Sequence, residues 1–432
     1  RDVFKKTAPE KPVKKAREYW KILGPGLVTG AADDDPSGIA TYSQAGAQNG
    51  FGLIWLSLFS LPLMGVVQEM CARIGLATGV GLAANIRKHY SRKVLYVCTA
   101  LLLAANVFNI GADLGAMAAG VKLIFPFLSF TFLVLLFATL SLSLQIYIPY
   151  KKYSKYLKYL TFILFAYVIA SFFVKMNWAE ALQHTVIPTF SFSRNEIILL
   201  CAVVGTTISP YLFFWQSSQE VEEQILHGEK TQKSRRAGTT GEVIKNMRTD
   251  VWSGMFLSNL IMFFIIAVCA ATLFRGGITN IVTAADAATA LRPFAGGFAF
   301  TLFALGILGT GLLAIPVLAG SASYAISESF GWKEGLFRKL KQATAFYGVI
   351  IFAVVLGVIF NFVGLNPIKA LIYSAVLNGI ISPLMIFLIV RLSGDEKIMG
   401  DFKNSKLGNL AGRATLLITF LISIGAILSL FI

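Results

Sequence analysis

Residues 24–41 read GPGLVTGAADDDPSGIAT, and this short stretch decides the fold. It is an apolar segment interrupted by three aspartates and a proline. A charged residue near the centre of a membrane span costs at least about 2.5–3.5 kcal/mol. Asp33, Asp34 and Asp35 therefore predict a water-filled cavity, a cation or hydrogen-bond donors around them. The alternative is the solvated end of a short helix, which the continuation of the segment through Ile39–Ala47 disfavours.

Asp35 stands directly before Pro36, and this order of residues predicts a broken helix. Proline removes a backbone donor and clashes with the preceding turn, and the residue before it is pushed out of the helical region. The carboxylate of Asp35 is therefore expected on unwound backbone, beside carbonyl groups released near Ala32. Carboxylate and carbonyl oxygens are the ligands of hard cations, so the break is a candidate cation site.

The interrupted segment lies in a chain of 432 residues, of which 56% are hydrophobic and only 14% are charged. Soluble chains carry about 25% charged residues, and a membrane span needs roughly 20 apolar residues. The chain is therefore predicted to be an all-α integral membrane protein. Eleven spans are predicted, at residues 25–48, 51–72, 94–121, 124–148, 159–174, 195–219, 250–274, 294–326, 343–361, 367–390 and 411–431.

A second proline interrupts the sixth predicted span, where residues 205–211 read GTTISPY. Broken helices at corresponding points of two halves are typical of transporters built from inverted repeats. We therefore predict a basic cytoplasmic segment at 1–24, five-helix repeats at 25–174 and 195–390, and a last helix at 411–431. Serine and threonine often bond to their own helix carbonyls, but Ser209, beside the break, is expected to face the ion instead.

The basic residues are distributed unevenly between the loops. With the N-terminus in the cytoplasm, 32 of the 38 Lys and Arg fall in cytoplasmic segments. This asymmetry is the positive-inside signal of a multi-pass protein, and it predicts an external C-terminus. A bacterial-type plasma membrane is the expected location. The net charge of +16 is thereby explained by topology and anionic lipid, so a nucleic-acid partner is disfavoured, and no obligate protein partner is evident.

Further polar residues lie within the predicted spans. Asn106, Asn109 and Asp113 share one helical face of the third span because their spacings are 3 and 4. Asp113 is expected to line the ion path, or else to be satisfied by neighbouring Asn or Thr. Glu69 and Arg73 are expected to pair as i and i+4 neighbours. No histidine lies in a predicted span and no sulfur flanks either break, so an all-oxygen site for Mg²⁺, Ca²⁺ or Mn²⁺ is favoured.

A set of motifs spread from the first to the tenth span resembles the natural-resistance-associated macrophage protein (Nramp) family of divalent-metal transporters. The motifs are Gly24-Pro25-Gly26, Asp35-Pro36, Gln44-Ala45-Gly46-Ala47, the run ARIGLATG at 72–79, Gly205 with Pro210, and Asn366-Pro367. The resemblance implies a LeuT-type inverted-repeat (5+5) fold with 11 transmembrane helices, of which helices 1 and 6 are broken. It also implies Asp35 as a metal ligand, with the carbonyl groups of Ala32 and Thr206 beside it.

Several positions depart from the family pattern. Gly38 replaces the metal-binding Asn, Ser209 the Met, and Tyr211 the His of the family's Met-Pro-His motif. Ala116 stands where the third span of the family has an acidic residue, and Ala375 where the tenth has a coordinating Gln. These changes are similar to the branch called Nramp-related magnesium transporters. Smaller side chains are expected to widen the site for a hydrated ion, and loss of the His and Glu to uncouple transport from protons.

The sequence therefore predicts uncoupled uptake of Mg²⁺ and Mn²⁺ by alternating access, with no prosthetic group. The expected metal-binding residues are Asp35, Ser209, Thr206, Ala32 and Gly38. The residues expected to order the water shell or to line the pathway are Asp34, Asp113, Tyr211, Asn109 and Gln216. Alternatives are a proton-coupled Mn²⁺/Fe²⁺ importer, an organic-cation or amino-acid carrier on the same fold, and a channel. An enzyme is disfavoured, because the sequence shows no nucleophile constellation.

Overall fold

The structure is a computed structural model, and it describes residues 19–20, 22–148, 152, 162 and 165–431. Within these residues every regular element is helical. The predicted basic segment at 1–24 and the first part of the fifth predicted span lie mostly outside the described residues.

Nineteen α-helices are described; the longer ones overlap the predicted spans, and several short ones lie in the predicted loops. The first ten are α1 (Pro25–Asp33), α2 (Pro36–Asn49), α3 (Leu56–Thr78), α4 (Leu82–His89), α5 (Arg92–Lys122), α6 (Phe130–Tyr147), α7 (Phe165–Phe173), α8 (Trp178–Val186), α9 (Arg194–Thr207) and α10 (Pro210–Leu226). The others are α11 (Gln232–Gly238), α12 (Gly241–Cys269), α13 (Ala284–Thr289), α14 (Arg292–Ala295), α15 (Ala299–Phe330), α16 (Thr344–Phe360), α17 (Pro367–Gly394), α18 (Glu396–Met399) and α19 (Lys406–Phe431). A π-helical turn, Ala270–Phe274, extends α12.

Seven helical segments of the described chain are long and apolar enough to cross a membrane without help from a neighbour. Two of them join helices in sequence, Arg194–Leu226 through the second break and Gly241–Phe274 through the π turn. The other predicted spans correspond to the α1–α2 pair, α3, α7 and the shorter apolar helix α16. The chain is therefore a multi-pass membrane protein, and the total of eleven crossings stays a prediction.

Both predicted breaks are confirmed, and both have the same cause. Pro36 and Pro210 are the first residues of α2 and α10, where the missing N–H of proline does no harm. Asp35 (φ −65°, ψ 175°) and Ser209 (φ −82°, ψ 132°) precede them in extended backbone. Each membrane segment thus stops, crosses a short unwound stretch and starts again at a proline.

Glycines bring the two breaks close to intact helices. A Cβ atom on Gly30 would lie 2.2 Å from the carbonyl oxygen of Gly254, so α1 crosses α12 with backbone against backbone. A Cβ atom on Gly205 would lie 2.1 Å from the carbonyl oxygen of Ala375, so α9 meets α17 in the same way. Small residues at such crossings are typical of membrane helix packing. They fix the first break beside α12 and the second beside α17.

The outer helices carry the apolar surface of the protein. Large apolar side chains are exposed on α6 (Leu135, Leu136), on α16 (Phe352) and on α19 (Leu417, Phe420). Many exposed large apolar side chains on helices of this length are typical of a surface in contact with lipid. The long helices α5 and α15 pack against each other, and both broken segments contact them.

The predicted Glu69–Arg73 pair is confirmed at one end of α3. Arg73 Nη2 lies 3.0 Å from Glu69 Oε1, and Arg248 Nη2 lies 2.9 Å from the same oxygen. The indole N–H of Trp252 donates to Glu69 Oε2 at 2.8 Å. Glu69 therefore ties α3 to α12, the helix that runs beside the first break.

Candidate metal centre

The three aspartates of the first break are buried, which excludes a solvated helix end. Asp33 and Asp34 are 0% exposed and Asp35 is 1% exposed. Asp33 ends α1, Asp34 bridges the gap (φ −86°, ψ 46°), and Asp35 is the N-cap of α2. Asp35 Oδ1 accepts hydrogen bonds from Ser37 Oγ at 2.6 Å and from the backbone N–H of Gly38 at 2.7 Å. One carboxylate thus organises the restart of the helix.

The polar face of α5 meets the other oxygen of Asp35. Asn109 Nδ2 donates to Asp35 Oδ2 at 2.8 Å and lies 3.4 Å from Asp113 Oδ2. Asn109 Oδ1 and Asp113 Oδ1 are buried, and no hydrogen-bond partner for them lies in the described part of the chain. Asn106, one turn away, instead donates to the carbonyl oxygen of Leu318 and takes part in helix packing. The structure therefore joins Asn109 and Asp113 to Asp35, with two oxygens left open.

The second break faces the first through Thr206. Thr206 Oγ1 lies 3.4 Å from Ser37 Oγ. Ser209 Oγ, however, donates to the carbonyl oxygens of Gly205 at 2.6 Å and Thr206 at 2.7 Å. The expectation that Ser209 escapes bonding to its own helix is therefore wrong. Its hydroxyl satisfies carbonyl groups that the proline leaves without a donor, and only its lone pairs remain for a ligand.

Tyr211 links the two broken helices directly. Its hydroxyl donates to the carbonyl oxygen of Ala32 at 2.8 Å, so this carbonyl group has one lone pair left for an ion. Gly38 does not leave open space, because a Cβ atom there would lie 3.0 Å from the Asp33 carbonyl oxygen and 3.4 Å from Thr206 Oγ1. The wider site that was expected from the small side chain at Gly38 is thus partly filled, because the two breaks pack closely at this position.

Gln216 lies away from the aspartates. It accepts a hydrogen bond from Thr29 Oγ1 at 2.5 Å and donates to Glu220 Oε1 at 2.8 Å. Thr29 is in α1 and Gln216 in α10, so the pair joins the two broken segments one turn from the acidic cluster. Gln216, which was predicted for the ion pathway, therefore serves the contact between helices and does not reach the aspartates through the hydrogen bonds described.

Sequence reasoning missed Ser258, in the middle of α12. Its hydroxyl lies 2.6 Å from Asp33 Oδ2 and 3.3 Å from Asp34 Oδ1. The available signal was the polar pair Ser258-Asn259 inside an otherwise apolar run. A polar pair in the seventh predicted span does not reveal which other span it faces, since that depends on how the helices pack.

Asp250, also in α12, was missed as well. Its carboxylate accepts the backbone N–H groups of Gly24 at 2.8 Å, Gly26 at 2.6 Å and Leu27 at 3.0 Å. These are the free N–H groups at the start of α1. A negative charge there also interacts favourably with the positive end of the helix dipole. Asp250 therefore holds the first broken helix against α12.

Asp250→Ala is expected to lower the melting temperature of the purified protein, because loss of a helix cap costs about 0.5–2 kcal/mol. Thermal unfolding in detergent, followed by size-exclusion fluorescence, measures the change. Asp401→Ala, at an exposed aspartate between α18 and α19, serves as the control and should melt like the unchanged protein. Equal melting of both variants would contradict the assigned role of Asp250.

The ligand chemistry of the centre is entirely that of oxygen. Within the described residues, no ion pair involves Asp33, Asp34, Asp35 or Asp113. The described part of the chain also holds no group of three or more His, Cys, Asp or Glu side chains arranged around one point as a closed metal site. Carboxylates with free oxygens, carbonyl groups and hydroxyls suit a hard cation that keeps part of its water.

These features define an all-α, multi-pass membrane protein of the LeuT-type inverted-repeat fold, with an acidic break buried at its centre. The chain matches the family model described as natural resistance-associated macrophage protein-like over residues 26–429. It belongs to the Nramp family.

Known relatives cover almost the whole chain. The divalent metal cation transporter MntH of Erwinia tasmaniensis is 26% identical over 412 residues, or 94% of this chain and 93% of that protein. The crystal structure of the Eremococcus coleocola manganese transporter aligns with a TM-score of 0.76 at 20% identity, over 99% of this chain and 91% of that one. Mhp1, a nucleobase-cation-symport-1 family transporter, aligns with a TM-score of 0.58 at 13% identity, over 94% and 92%.

Proposed function

We propose that this protein carries divalent metal ions across a membrane, with Mg²⁺ and Mn²⁺ as its ions. The observation that supports this most directly is the first break. It holds three buried carboxylates, and the described residues provide no basic partner for them. Buried acids inside a membrane protein mark an ion pathway. The relatives named for divalent metal and manganese transport support the same substrate class.

The choice of Mg²⁺ rests on the ligands at the two breaks. Asp35 Oδ2 keeps one lone pair beside the open oxygens of Asn109 and Asp113. Mg²⁺ sheds its water reluctantly and is commonly bound through one or two carboxylates and several waters. Ser209 occupies the position of the family's Met, so the thioether that favours softer metals is replaced by a hydroxyl group. The proposed ion is therefore held largely through its water shell, and Mn²⁺ competes with it.

Transport without protons is part of the proposal. The positions of the family's proton-linked His and Glu are Tyr211 and Ala116, and the Tyr211 hydroxyl is engaged with Ala32. A membrane potential of 100 mV supplies about 2.3 kcal/mol per charge, hence about 4.6 kcal/mol for a divalent ion. That driving force supports uptake by alternating access without a coupled ion.

A second candidate is a proton-coupled Mn²⁺ importer. Asp113, in α5, favours this candidate. It is 0% exposed, and one of its carboxylate oxygens has no hydrogen-bond partner among the described residues. Intramembrane carboxylates are common members of proton relays. The two candidates make opposite predictions for proton movement.

Proteoliposomes with an internal metal dye and a pH dye separate these functions. Mg²⁺ and Mn²⁺ entry that follows the membrane potential, with constant internal pH, is expected. Mn²⁺ entry with acidification and without a Mg²⁺ response would establish the proton-coupled candidate instead. Absence of entry for both metals, in vesicles that contain folded protein, would overturn metal transport altogether.

Ser209→Met is expected to raise uptake of Mn²⁺ and Cd²⁺ relative to Mg²⁺, because a thioether prefers softer ions. The ratio of initial uptake rates, measured at equal metal concentrations, tests this. Ser209→Ala removes the hydroxyl without adding sulfur and should leave the ratio unchanged. A rise in both variants would mean that size, and not sulfur, sets the preference at this position.

A further inference from the structure

The acidic pair, Asp33 and Asp34, is short of hydrogen-bond donors. Ser258 Oγ lies 2.6 Å from Asp33 Oδ2 and 3.3 Å from Asp34 Oδ1, and a hydroxyl has only one proton to donate. Asp33 Oδ1 and Asp34 Oδ2 are buried and have no hydrogen-bond partner among the described residues. Two carboxylates inside the membrane protein thus share a single donor.

Asp35 differs sharply from the pair. It receives three donors, from Ser37, Gly38 and Asn109. A carboxylate offers about four lone-pair sites, so Asp35 retains about one, whereas the pair retains most of its sites. By this count, the acceptor capacity of the first break lies mainly on the side that faces α12.

The surroundings of the pair add negative charge. Asp33 is the last residue of α1, and the C-terminal end of a helix carries a partial negative charge. The last turn of α1 has no basic residue, and the ion pairs of the described chain do not include Asp33 or Asp34. A bound cation would neutralise this negative site.

A separate side chain points to a ligand at the same place. Tyr42, in α2, is 0% exposed, and none of the residues that the structure describes is a hydrogen-bond partner of its hydroxyl. Its ring lies beside Gly38, whose Cβ position is also 3.0 Å from the Asp33 carbonyl oxygen. A buried hydroxyl without a partner, on a ring that lies this close to Asp33, indicates water or an ion beside it.

We propose that Asp33, Asp34 and Ser258 form a second cation position, which binds a partly hydrated divalent ion apart from the one at Asp35. This inference rests on the proposed function. The pair supplies the two carboxylates that Mg²⁺ commonly uses, and Ser258, Tyr42 and water complete the shell. Asp35 and the α5 residues hold one ion, and the acidic pair holds the other against α12.

Two neighbouring positions have a consequence for release. Two divalent ions at neighbouring positions repel each other. An ion at the acidic pair therefore weakens the hold of Asp35 on its own ion, which favours release after the carrier has opened.

Titration of the purified protein with Mn²⁺, followed by electron paramagnetic resonance, counts the bound ions. The unchanged protein is expected to bind two Mn²⁺ with mutual dipolar broadening. The double variant Asp33→Asn with Asp34→Asn keeps the shape of both side chains, and it should bind one Mn²⁺ without broadening. One bound ion in the unchanged protein, or two in the double variant, would overturn the second position.

Ser258→Ala provides a milder test that is independent of the folding of the double variant. Loss of a group that orients a ligand costs about 10–100-fold in metal affinity, so the weaker of the two ions should bind at least about tenfold more weakly. Ser429→Ala is the matched control, because the Ser429 hydroxyl donates to the Gly425 carbonyl oxygen of its own helix, far in sequence from the acidic pair. Equal affinity for both ions in the two serine variants would count against the proposal.

The same titration separates this inference from the proposed function. One bound Mn²⁺ together with normal uptake into vesicles would overturn the second position alone. No bound Mn²⁺ and no uptake in the unchanged protein would overturn both. Two bound ions in the unchanged protein, together with slower uptake by the Asp33→Asn variant, would support both.

Discussion

Asp35→Ala is expected to reduce uptake of Mg²⁺ and Mn²⁺ by about a hundredfold or more. Loss of a group that merely orients a metal ligand already costs about 10–100-fold, and Asp35 is the proposed ligand as well as the cap of α2. The substitution removes the acceptor for Ser37, Gly38 and Asn109 at once. Initial uptake rates in proteoliposomes, normalised to the amount of folded protein, measure the loss.

Asp35→Asn separates the two roles of this residue. The amide oxygen still accepts from Ser37 and from the Gly38 N–H, so the cap of α2 is preserved in part, while the negative charge is lost. We expect uptake to remain low in Asp35→Asn and its melting temperature to exceed that of Asp35→Ala. Full uptake in either variant would contradict the placement of the ion at Asp35.

Gly205→Ala is expected to abolish transport through a different cause. The added Cβ atom would lie 2.1 Å from the Ala375 carbonyl oxygen and 2.4 Å from the backbone nitrogen of Gly379. These are backbone atoms, so relief requires that α9 and α17 separate, and overpacking alone typically costs about 1–3 kcal/mol. The yield of monodisperse protein, the melting temperature and uptake are all expected to fall.

Gly348→Ala in α16 is the matched control for Gly205→Ala. A Cβ atom on Gly348 would meet nothing within 4 Å, and alanine has the higher helix propensity. This variant should fold and transport like the unchanged protein. If Gly205→Ala behaved in the same way, the close contact between α9 and α17 would be incorrect.

Local chemistry made the helical breaks predictable. Proline acts on its own turn and on the residue before it, so Pro36 and Pro210 locate the restarts of the helices without knowledge of the rest of the chain. The cap formed by Asp35 follows from the same local rule, because aspartate is a preferred N-cap. The membrane class and the approximate positions of the long helices likewise follow from apolar runs that are long enough to cross a bilayer.

The candidate site was predictable only in part. Asp35, Asn109 and Asp113 were identified from charge and helical spacing, and the structure joins them. Ser209 was misjudged, because its hydroxyl serves the carbonyl groups freed in its own helix. Gln216 was expected near the ion, but it bonds Thr29 across the contact between α1 and α10.

By itself, the sequence determined that this protein lies in a membrane, where its two helices break and which acids lie at the first break. These properties depend on residues within a few positions of one another. Only the tertiary structure decided which helix faces each acid, since Ser258 meets Asp33 across 225 positions of sequence. The crossing of α1 and α12 at Gly30 and Gly254 sets that contact. Helix packing, which sequence periodicity does not encode, therefore distributes the donors among the three aspartates.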